Sequence, residues 1–286
     1  MPVISVTLVD NPDPEHVNAV RVGLRTHNIK KMPELLNLPD DDIAIFLRDE
    51  QGRIQGGVIG EVDWGVLYVD LLWVQDDLRG KNYGRALMHT IEQIALQQGL
   101  PHVYLMTTEF QALPFYQHIG YEIFGTLMNR PHGFAYYYLR KMNIQPSDSI
   151  DKLPITIAPI ASDVQQVNRG LRDYCEQFVD CTSQKLSAFI YGANGEVLGG
   201  ICGSTYWDWF DVFYFWVDET LRDQGYEKQL LQLAEVECHR RGMTGIVYDT
   251  TDFQSLSFYE SQGFEVFATL PDRPPKHESY FLKKLL

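Results

Sequence analysis

Residues 71–87 read LLWVQDDLRGKNYGRAL, an apolar strand that runs through a short turn directly into a helix. The first N–H groups of a helix lack intrahelical acceptors and lie at the positive end of its dipole. Glycines at 80 and 84 let an anion approach this backbone closely. The segment therefore predicts a phosphate or pyrophosphate site at the helix start, with a merely solvated helix start as the alternative.

Three cations flank this turn, Arg79, Lys81 and Arg85, in a chain whose formal net charge is −14. The overall charge argues against nucleic acid and anionic membrane as partners. It suits a cationic or amine substrate, although solubility alone also explains it. The charge alone leaves both explanations open.

The same pattern occurs twice in the chain. Arg79 recurs as Arg222 and Tyr116 recurs as Tyr259, both at a spacing of 143 residues (222 − 79). This register holds without a gap from about residue 43 to the end, so the chain is an internal duplication. Upstream the spacing is 147 (170 − 23), which aligns the segment around Gly23 with that around Gly170.

A length of 286 residues and the duplication together predict two domains, residues 1–143 and 152–286, joined by a polar linker at 143–152. Within each copy, periodicity predicts helices at 14–26 and 83–98 and a long buried strand at 66–74. The fold class is α/β or α+β, a mixed central sheet flanked by helices. We expect the two domains to form a pseudo-dimer within a monomer, or a homodimer.

The cysteines, the histidines and the apolar runs of the chain indicate its compartment and whether it binds a metal. All four cysteines fall in the second copy without a C-x-x-C pair, which indicates free thiols in a reducing compartment. The histidines lack metal-ligand spacing, so no metal is expected. We find no signal-peptide pattern and no apolar run long enough to span a bilayer, and we expect a cytoplasmic protein.

Two motifs in order carry a family resemblance. Arg79 and Gly84 match the ends of the Arg/Gln-x-x-Gly-x-Gly/Ala motif, with Asn82 where glycine is usual, and residues 112–121 read ALPFYQHIGY. Together they resemble the GNAT superfamily of N-acetyltransferases, once per copy. Asn tolerates a left-handed backbone, so we interpret Asn82 as compatible with binding. The resemblance implies acetyl-CoA as co-substrate, held by Leu72, Trp73, Val74, Arg79, Gly80, Lys81, Asn82, Tyr83, Gly84, Arg85 and Phe115.

The resemblance also implies direct transfer of acetyl from the thioester to an amine. Tyr116 would protonate the leaving thiolate; its alternative is a packing aromatic. Asp70, placed by period-2 alternation on the face of Leu72 and Val74, is a carboxylate in an apolar run. It would accept the amine proton, hold a cationic substrate, or make a structural hydrogen bond.

Weaker candidates are Glu61 and Glu109, while His102, His118 and His132 suggest surface or structural roles. The first copy contains no cysteine, which argues against a covalent thiol route there. The rival to an enzyme is a non-catalytic acyl-CoA-binding or scaffold protein.

The second copy departs from the motif. Asp223 and Glu227 stand at the Gly80 and Gly84 positions, Phe213 replaces Asp70, and Tyr259 persists. Two carboxylates would repel a pyrophosphate, by roughly 1 kcal/mol per close charge pair in water and about 4 in a partly desolvated site. We expect this copy to be degenerate, with its aromatic segment 206–216 used for packing.

Overall fold

The structure is a computed structural model that describes residues 4–147, 155–157 and 161–286. The same succession of elements occurs twice. The first repeat contains β1 (Ser5–Val9), α1 (Pro14–Lys31), β2 (Ile43–Arg48), β3 (Ile54–Asp63), β4 (Val66–Val74), α2 (Tyr83–Gln97), β5 (Val103–Thr108), α3 (Leu113–His118), β6 (Glu122–Met128) and β7 (Ala135–Lys141).

The second repeat contains β8 (Ile155–Ile157), α4 (Ala161–Cys175), β9 (Ser183–Tyr191), β10 (Val197–Tyr206), β11 (Trp209–Val217), α5 (Tyr226–Arg240), β12 (Gly245–Thr251), α6 (Leu256–Ser261), β13 (Glu265–Pro271) and β14 (Glu278–Leu285). The long strand predicted at 66–74 has those bounds in the structure. The predicted α/β class, a mixed sheet flanked by helices in each copy, is confirmed.

Two seven-stranded sheets form, with the orders β6-β7-β5-β4-β3-β2-β8 and β1-β9-β10-β11-β12-β14-β13. Each sheet ends in the first strand of the other repeat, because β8 pairs with β2 and β1 pairs with β9, both antiparallel. In the first sheet β4 and β5 pair in parallel, and β11 and β12 do the same in the second.

The chain accordingly divides into two compact units that do not follow the repeats. The first-repeat unit consists of Leu38–Cys181 and Leu270–Glu278; the second-repeat unit consists of Met1–Asn37, Thr182–Thr269 and Ser279–Leu286. Boundaries at 143 and 152 mark the duplication, whereas the packing boundary falls after the β-α segment that opens each repeat. Most of the linker predicted at 143–152 lies outside the described residues.

Helices cover the two faces of the first-repeat sheet differently. On one face α2 buries Leu87, Ile91 and Ala95 against Leu67 and Leu105, each of the five at most 1% exposed. Full burial of such an aliphatic side chain stabilises the fold by about 1.5–3 kcal/mol. On the other face α4, from the second repeat, contacts β3 and β4.

The described residues, 4–147, 155–157 and 161–286, contain neither a membrane-spanning helix nor a cluster of metal ligands. None of the helices described is long and apolar enough to cross a membrane. The same residues contain no cluster of three or more His, Cys, Asp or Glu side chains that could hold a metal ion.

Candidate active site

The turn between β4 and α2 places its backbone for anion binding. Gly80 has φ 73° and Asn82, the N-cap of α2, has φ 67°, so both adopt the left-handed conformation. A Cβ on Gly80 would meet no atom within 4 Å, so the outer side of the turn is open. Within the described residues, the N–H groups from Gly80 to Arg85 have no hydrogen-bond acceptor. These groups are available to an anionic ligand, and we call residues 80–85 the phosphate loop.

Arg79, one of the predicted cofactor-binding residues, makes its contacts within the turn and with α4. Its backbone N–H donates to the carbonyl of Asp76 at 3.2 Å, and its Nε donates to the carbonyl of Val74 at 3.1 Å. Its guanidinium also pairs with the Asp76 carboxylate at 2.8 Å and lies 4.4 Å from the ring of Tyr174. Arg79 therefore shapes the turn, while Lys81 and Arg85 remain exposed beside it.

Strand β4 has a free edge next to this turn. Its parallel pairing with β5 covers only Leu67–Val69 against Val103–Leu105, and β5 then continues in pairing with β7 alone. The backbone of Leu72, Trp73 and Val74 thus faces an opening between the two strands. The indole of Trp73 lies against Gly170 on α4, so only the backbone of this residue is available to a ligand in the opening.

A β-bulge at Asp70 corrects its predicted orientation. The β3–β4 register passes from Ile59↔Leu71 to Gly60↔Val69 and leaves Asp70 unpaired. The extra residue shifts the alternation of side chains between the two faces of the strand, so Leu72 and Val74 lie in the core on the α2 side, as Val69 does. Asp70 instead accepts a hydrogen bond from the Tyr68 hydroxyl at 3.5 Å. Asp70 therefore does not share the face of Leu72 and Val74, since strict period-2 alternation holds only in an unbroken strand.

Aromatic and acidic side chains surround Asp70. Tyr68 stacks on Tyr104, with ring centroids 4.9 Å apart. The Tyr104 hydroxyl donates to Asp63 at 2.5 Å, and Asp63 is neutralised by Arg273, whose Nε lies 2.8 Å away. Sequence reasoning missed Tyr68 and Arg273, although the position of Tyr68 two residues before Asp70 was a usable signal.

The carboxyl groups of Asp70 and Glu61, which lie near each other in a cleft beside β4, both have raised pKa values. Desolvation raises the pKa of Asp70, although the residue remains accessible to solvent, and the hydrogen bond from Tyr68 partly opposes the shift. Desolvation also raises the pKa of Glu61, and the nearby Asp70, Asp42 and Asp63 carboxylates add to it. In the described part of the chain neither Asp70 nor Glu61 pairs with a cation. The cleft is suited to a positively charged group.

Tyr116 lies on α3 in the same core cluster as Leu72 and Leu105, which come from the two strands that bound the opening. Burial raises the pKa of its phenol above the usual value, so the hydroxyl stays protonated at neutral pH. Among the described residues the hydroxyl has no hydrogen-bond partner. Next to it, Phe115 lies 3.4 Å from the Cβ position of Gly84 and so joins α3 to the phosphate loop.

Residues 14–121 and 159–264 each match the acetyltransferase (GNAT) family. The chain belongs to this family. It is 35% identical to a blasticidin-S acetyltransferase of Streptomyces morookaense over 101 residues, 35% of this chain and 74% of that protein. It is 28% identical to an acetyltransferase of Agrobacterium fabrum over 138 residues, 48% of this chain and 98% of that protein.

Among solved structures, an acetyltransferase from Bacillus cereus is similar at 28% identity and a TM-score of 0.44. The similarity covers 47% of this chain and 96% of that one. With both repeats matching the family, the protein is a tandem GNAT acetyltransferase, from a family that uses acetyl-CoA.

The other candidates in the first GNAT repeat have structural contacts. Glu109 exchanges hydrogen bonds with the backbone of Ala135. His102 is buried and accepts a hydrogen bond from the Asn143 N–H, and desolvation lowers its pKa. His118 and His132 are exposed.

Two cysteines, Cys175 and Cys181, lie in the first-repeat unit, because this unit extends beyond the first copy to residue 181. Cys175 is on α4, where its Sγ accepts a hydrogen bond from Gln111 at 3.0 Å. Burial raises the pKa of its thiol to about 11, so it is not a thiolate at neutral pH. The argument against a covalent thiol route in this unit therefore rests on the burial of both cysteines and not on the absence of cysteine.

The second GNAT repeat retains a cleft of about 440 Å³ at the equivalent place, with different walls. Phe215 and Tyr248 occupy the positions of Leu72 and Leu105, and their rings lie 6.4 Å apart. The ring centroids of Tyr259 and Tyr248 lie 5.1 Å apart. Asp223 and Glu227 line the mouth of this cleft.

Proposed function

We propose that the protein is an N-acetyltransferase that acts from its first-repeat unit and transfers acetyl from acetyl-CoA to a primary amine, of a small molecule or an amino terminus. The observation that carries the proposal is the arrangement around the opening beside β4. The phosphate loop offers unpaired N–H groups at one end of this opening, and Asp70 and Tyr116 lie on the elements that bound it.

The residues present fit the co-substrate. The N–H groups of residues 80–85 would hold the pyrophosphate, and the free β4 edge at Leu72, Trp73 and Val74 would pair with the amides of the pantetheine arm. Phe115 packs beside the loop at Gly84. When bound, acetyl-CoA supplies the acetyl group as an activated thioester.

The acceptor amine would enter from the side of Asp70. An ammonium group would compensate Asp70 and Glu61, whose mutual repulsion and desolvation are otherwise unrelieved. The stacked rings of Tyr68 and Tyr104 provide an apolar wall for the rest of the acceptor.

The chemistry then needs one proton acceptor and one proton donor. Asp70 takes a proton from the ammonium, directly or through water, which frees the nitrogen lone pair to attack the thioester carbon. A backbone N–H on the free edge of β4 stabilises the oxyanion. As the C–N bond forms and the C–S bond breaks, the Tyr116 hydroxyl protonates the thiolate, and the proton lost from the new amide restores the phenol.

The second-repeat unit is proposed to be degenerate. The aromatic rings of Phe215 and Tyr248 line its cleft where the first-repeat unit has the aliphatic Leu72 and Leu105. Asp223 and Glu227 place negative charge where a pyrophosphate would lie.

Release of free thiol from acetyl-CoA in the presence of an amine panel tests the proposal. An acetyltransferase releases thiol only with its acceptor, and mass spectrometry finds the acceptor 42 Da heavier, about the mass an acetyl group adds. The rival, a non-catalytic acyl-CoA-binding protein, binds CoA in calorimetry but releases no thiol with any amine. A chain that neither binds CoA nor releases thiol contradicts both functions.

A further inference from the structure

Arg79 bridges three elements of the first-repeat unit. Its Nε donates to the last carbonyl of β4, its guanidinium pairs with Asp76 in the turn, and its Cζ lies 4.4 Å from the centroid of the Tyr174 ring on α4. A guanidinium over an aromatic face is attracted by the ring quadrupole. The side chain that shapes the approach to the phosphate loop is thus held on one side by a residue of the second repeat.

Tyr174 is itself firmly placed. Its hydroxyl donates to the Phe110 carbonyl at 3.1 Å, and its ring lies 5.4 Å from Phe178, which stacks on Phe110. The next residue, Cys175, is held by Gln111. The C-terminal end of α4 therefore contacts the β5–α3 connection as well as Arg79, the residue that precedes the phosphate loop.

The second-repeat unit provides an internal comparison. Arg222, the counterpart of Arg79, lies 3.0 Å from Nδ1 of His27 and reaches the Val217 carbonyl at 3.5 Å. His27 is the counterpart of Tyr174 at the spacing of 147 residues (174 − 27). In the same way Gln254 donates to Asn28 as Gln111 donates to Cys175.

The arginine and its helix contact thus persist where the anion-binding glycines at 80 and 84 are replaced by Asp223 and Glu227. A residue needed only to bind pyrophosphate would have no role in such a unit. The persistence points to a positioning role for Arg79, exercised through its partner on the exchanged helix.

We infer that Tyr174, which belongs to the second repeat, is a positioning residue for the cofactor site of the first-repeat unit. It holds Arg79 and, through Arg79, the phosphate loop. The inference rests on the proposed function of the first-repeat unit. It gives the second repeat a defined role: the site of one repeat is completed by a helix of the other.

The test uses the full-length chain with Tyr174→Leu, which removes the ring, and Tyr174→Phe, which keeps the ring and loses only the hydroxyl. Calorimetry with CoA alone is the first readout. A contact of the cation–π kind corresponds to about a 3- to 30-fold change in Kd. We expect that increase for Tyr174→Leu, in Kd for CoA and in KM for acetyl-CoA, with kcat and the KM for the amine nearly unchanged. Tyr174→Phe keeps the ring beside Arg79 and loses only the hydrogen bond to Phe110, so it should weaken CoA binding much less than Tyr174→Leu.

Two further variants keep the test decisive. In Arg79→Leu/Tyr174→Leu, CoA binding should be no weaker than in Arg79→Leu alone, because Tyr174 acts through Arg79. His27→Leu, the matched control in the other unit, should leave Kd unchanged. If Tyr174→Leu unfolds, Tyr174→His, which copies the Arg222–His27 contact, replaces it and should bind CoA more tightly than Tyr174→Ala.

Parent-like CoA binding by a folded Tyr174→Leu chain, or additive losses in the double variant, would overturn the inference while leaving the acetyltransferase proposal intact. A parent chain that binds no CoA would instead contradict the proposed function itself.

Discussion

Trp73 on β4 lies against Gly170 on α4 so closely that a Cβ on residue 170 would fall 2.2 Å from the indole. The counterpart pair is Trp216 on β11 and Gly23 on α1, where the added Cβ would fall 2.5 Å away. In both pairs glycine lets the helix backbone approach an indole, and the helix belongs to the other repeat. Each sheet is therefore covered on this face by an exchanged helix.

The exchange predicts which fragment of the chain folds. A fragment of residues 1–145 follows the repeat but lacks α4, which leaves the side of the sheet around Phe46 and Trp73 uncovered. A fragment of residues 38–181 contains α4 and most of the first-repeat unit. We expect the 38–181 fragment to unfold cooperatively on heating and to bind CoA, and we expect the 1–145 fragment to aggregate. A well-folded, CoA-binding 1–145 fragment would show that the exchanged helix is dispensable.

Gly84→Glu introduces into the phosphate loop the residue found at the equivalent place in the second repeat. The added carboxylate should weaken CoA binding at least about 100-fold, because it repels the pyrophosphate and blocks approach to the backbone. Gly84→Ala is the size control: its Cβ would meet Phe115 at an ordinary 3.4 Å, so binding should persist.

Calorimetry measures both variants and the stoichiometry, which should be one CoA per parent chain. Two equivalent sites per chain, or full binding by Gly84→Glu, would contradict the assignment of the site to the first repeat.

Tyr116→Phe removes the hydroxyl of a buried side chain, which is protonated at neutral pH. If it protonates the thiolate, kcat should fall by roughly 10²–10⁴-fold. The KM for acetyl-CoA should change little because the ring remains. Tyr259→Phe is the matched control and should keep the parent rate. A fully active Tyr116→Phe enzyme would make this tyrosine a packing residue.

Asp70→Asn should separate activity from stability. Because desolvation raises the pKa of Asp70, its ionised form is disfavoured in the folded state at neutral pH, and Asn removes that cost. The variant should therefore be more thermally stable than the parent at pH 7, and the difference should vanish below the pKa of an unfolded Asp, where both states are protonated. Its kcat should be lower, and an acceptor amine of lower basicity should partly restore it.

The acid limb of the pH–rate profile gives the second measurement. In the parent, the rate should fall as the pH drops through the pKa of Asp70, which desolvation raises above its ordinary value. That limb should be lost in Asp70→Asn, since no carboxylate then titrates at this position. An unchanged profile would assign Asp70 to a structural hydrogen bond with Tyr68.

By itself the sequence determined the duplication, the strand–turn–helix at 66–97 and the α/β class, because these depend on local periodicity and on short motifs. It also placed Asp70 on the long strand and Tyr116 on the short helix α3. The local sequence pattern did not predict the bulge at Asp70. One extra residue leaves the apolar composition of a strand unchanged, although it reverses which side chains face each side of the sheet.

Only the tertiary structure decided which helix covers which sheet. Gly23 and Gly170 are equivalent, as are Trp73 and Trp216, so either helix satisfies the local requirement for a small residue against an indole. The choice depends on long-range pairing, β1 with β9 and β8 with β2, which no short stretch of the chain specifies. The partner of Arg79 follows from that choice, because the physical contact with Tyr174 exists only once α4 lies on the sheet of the first repeat.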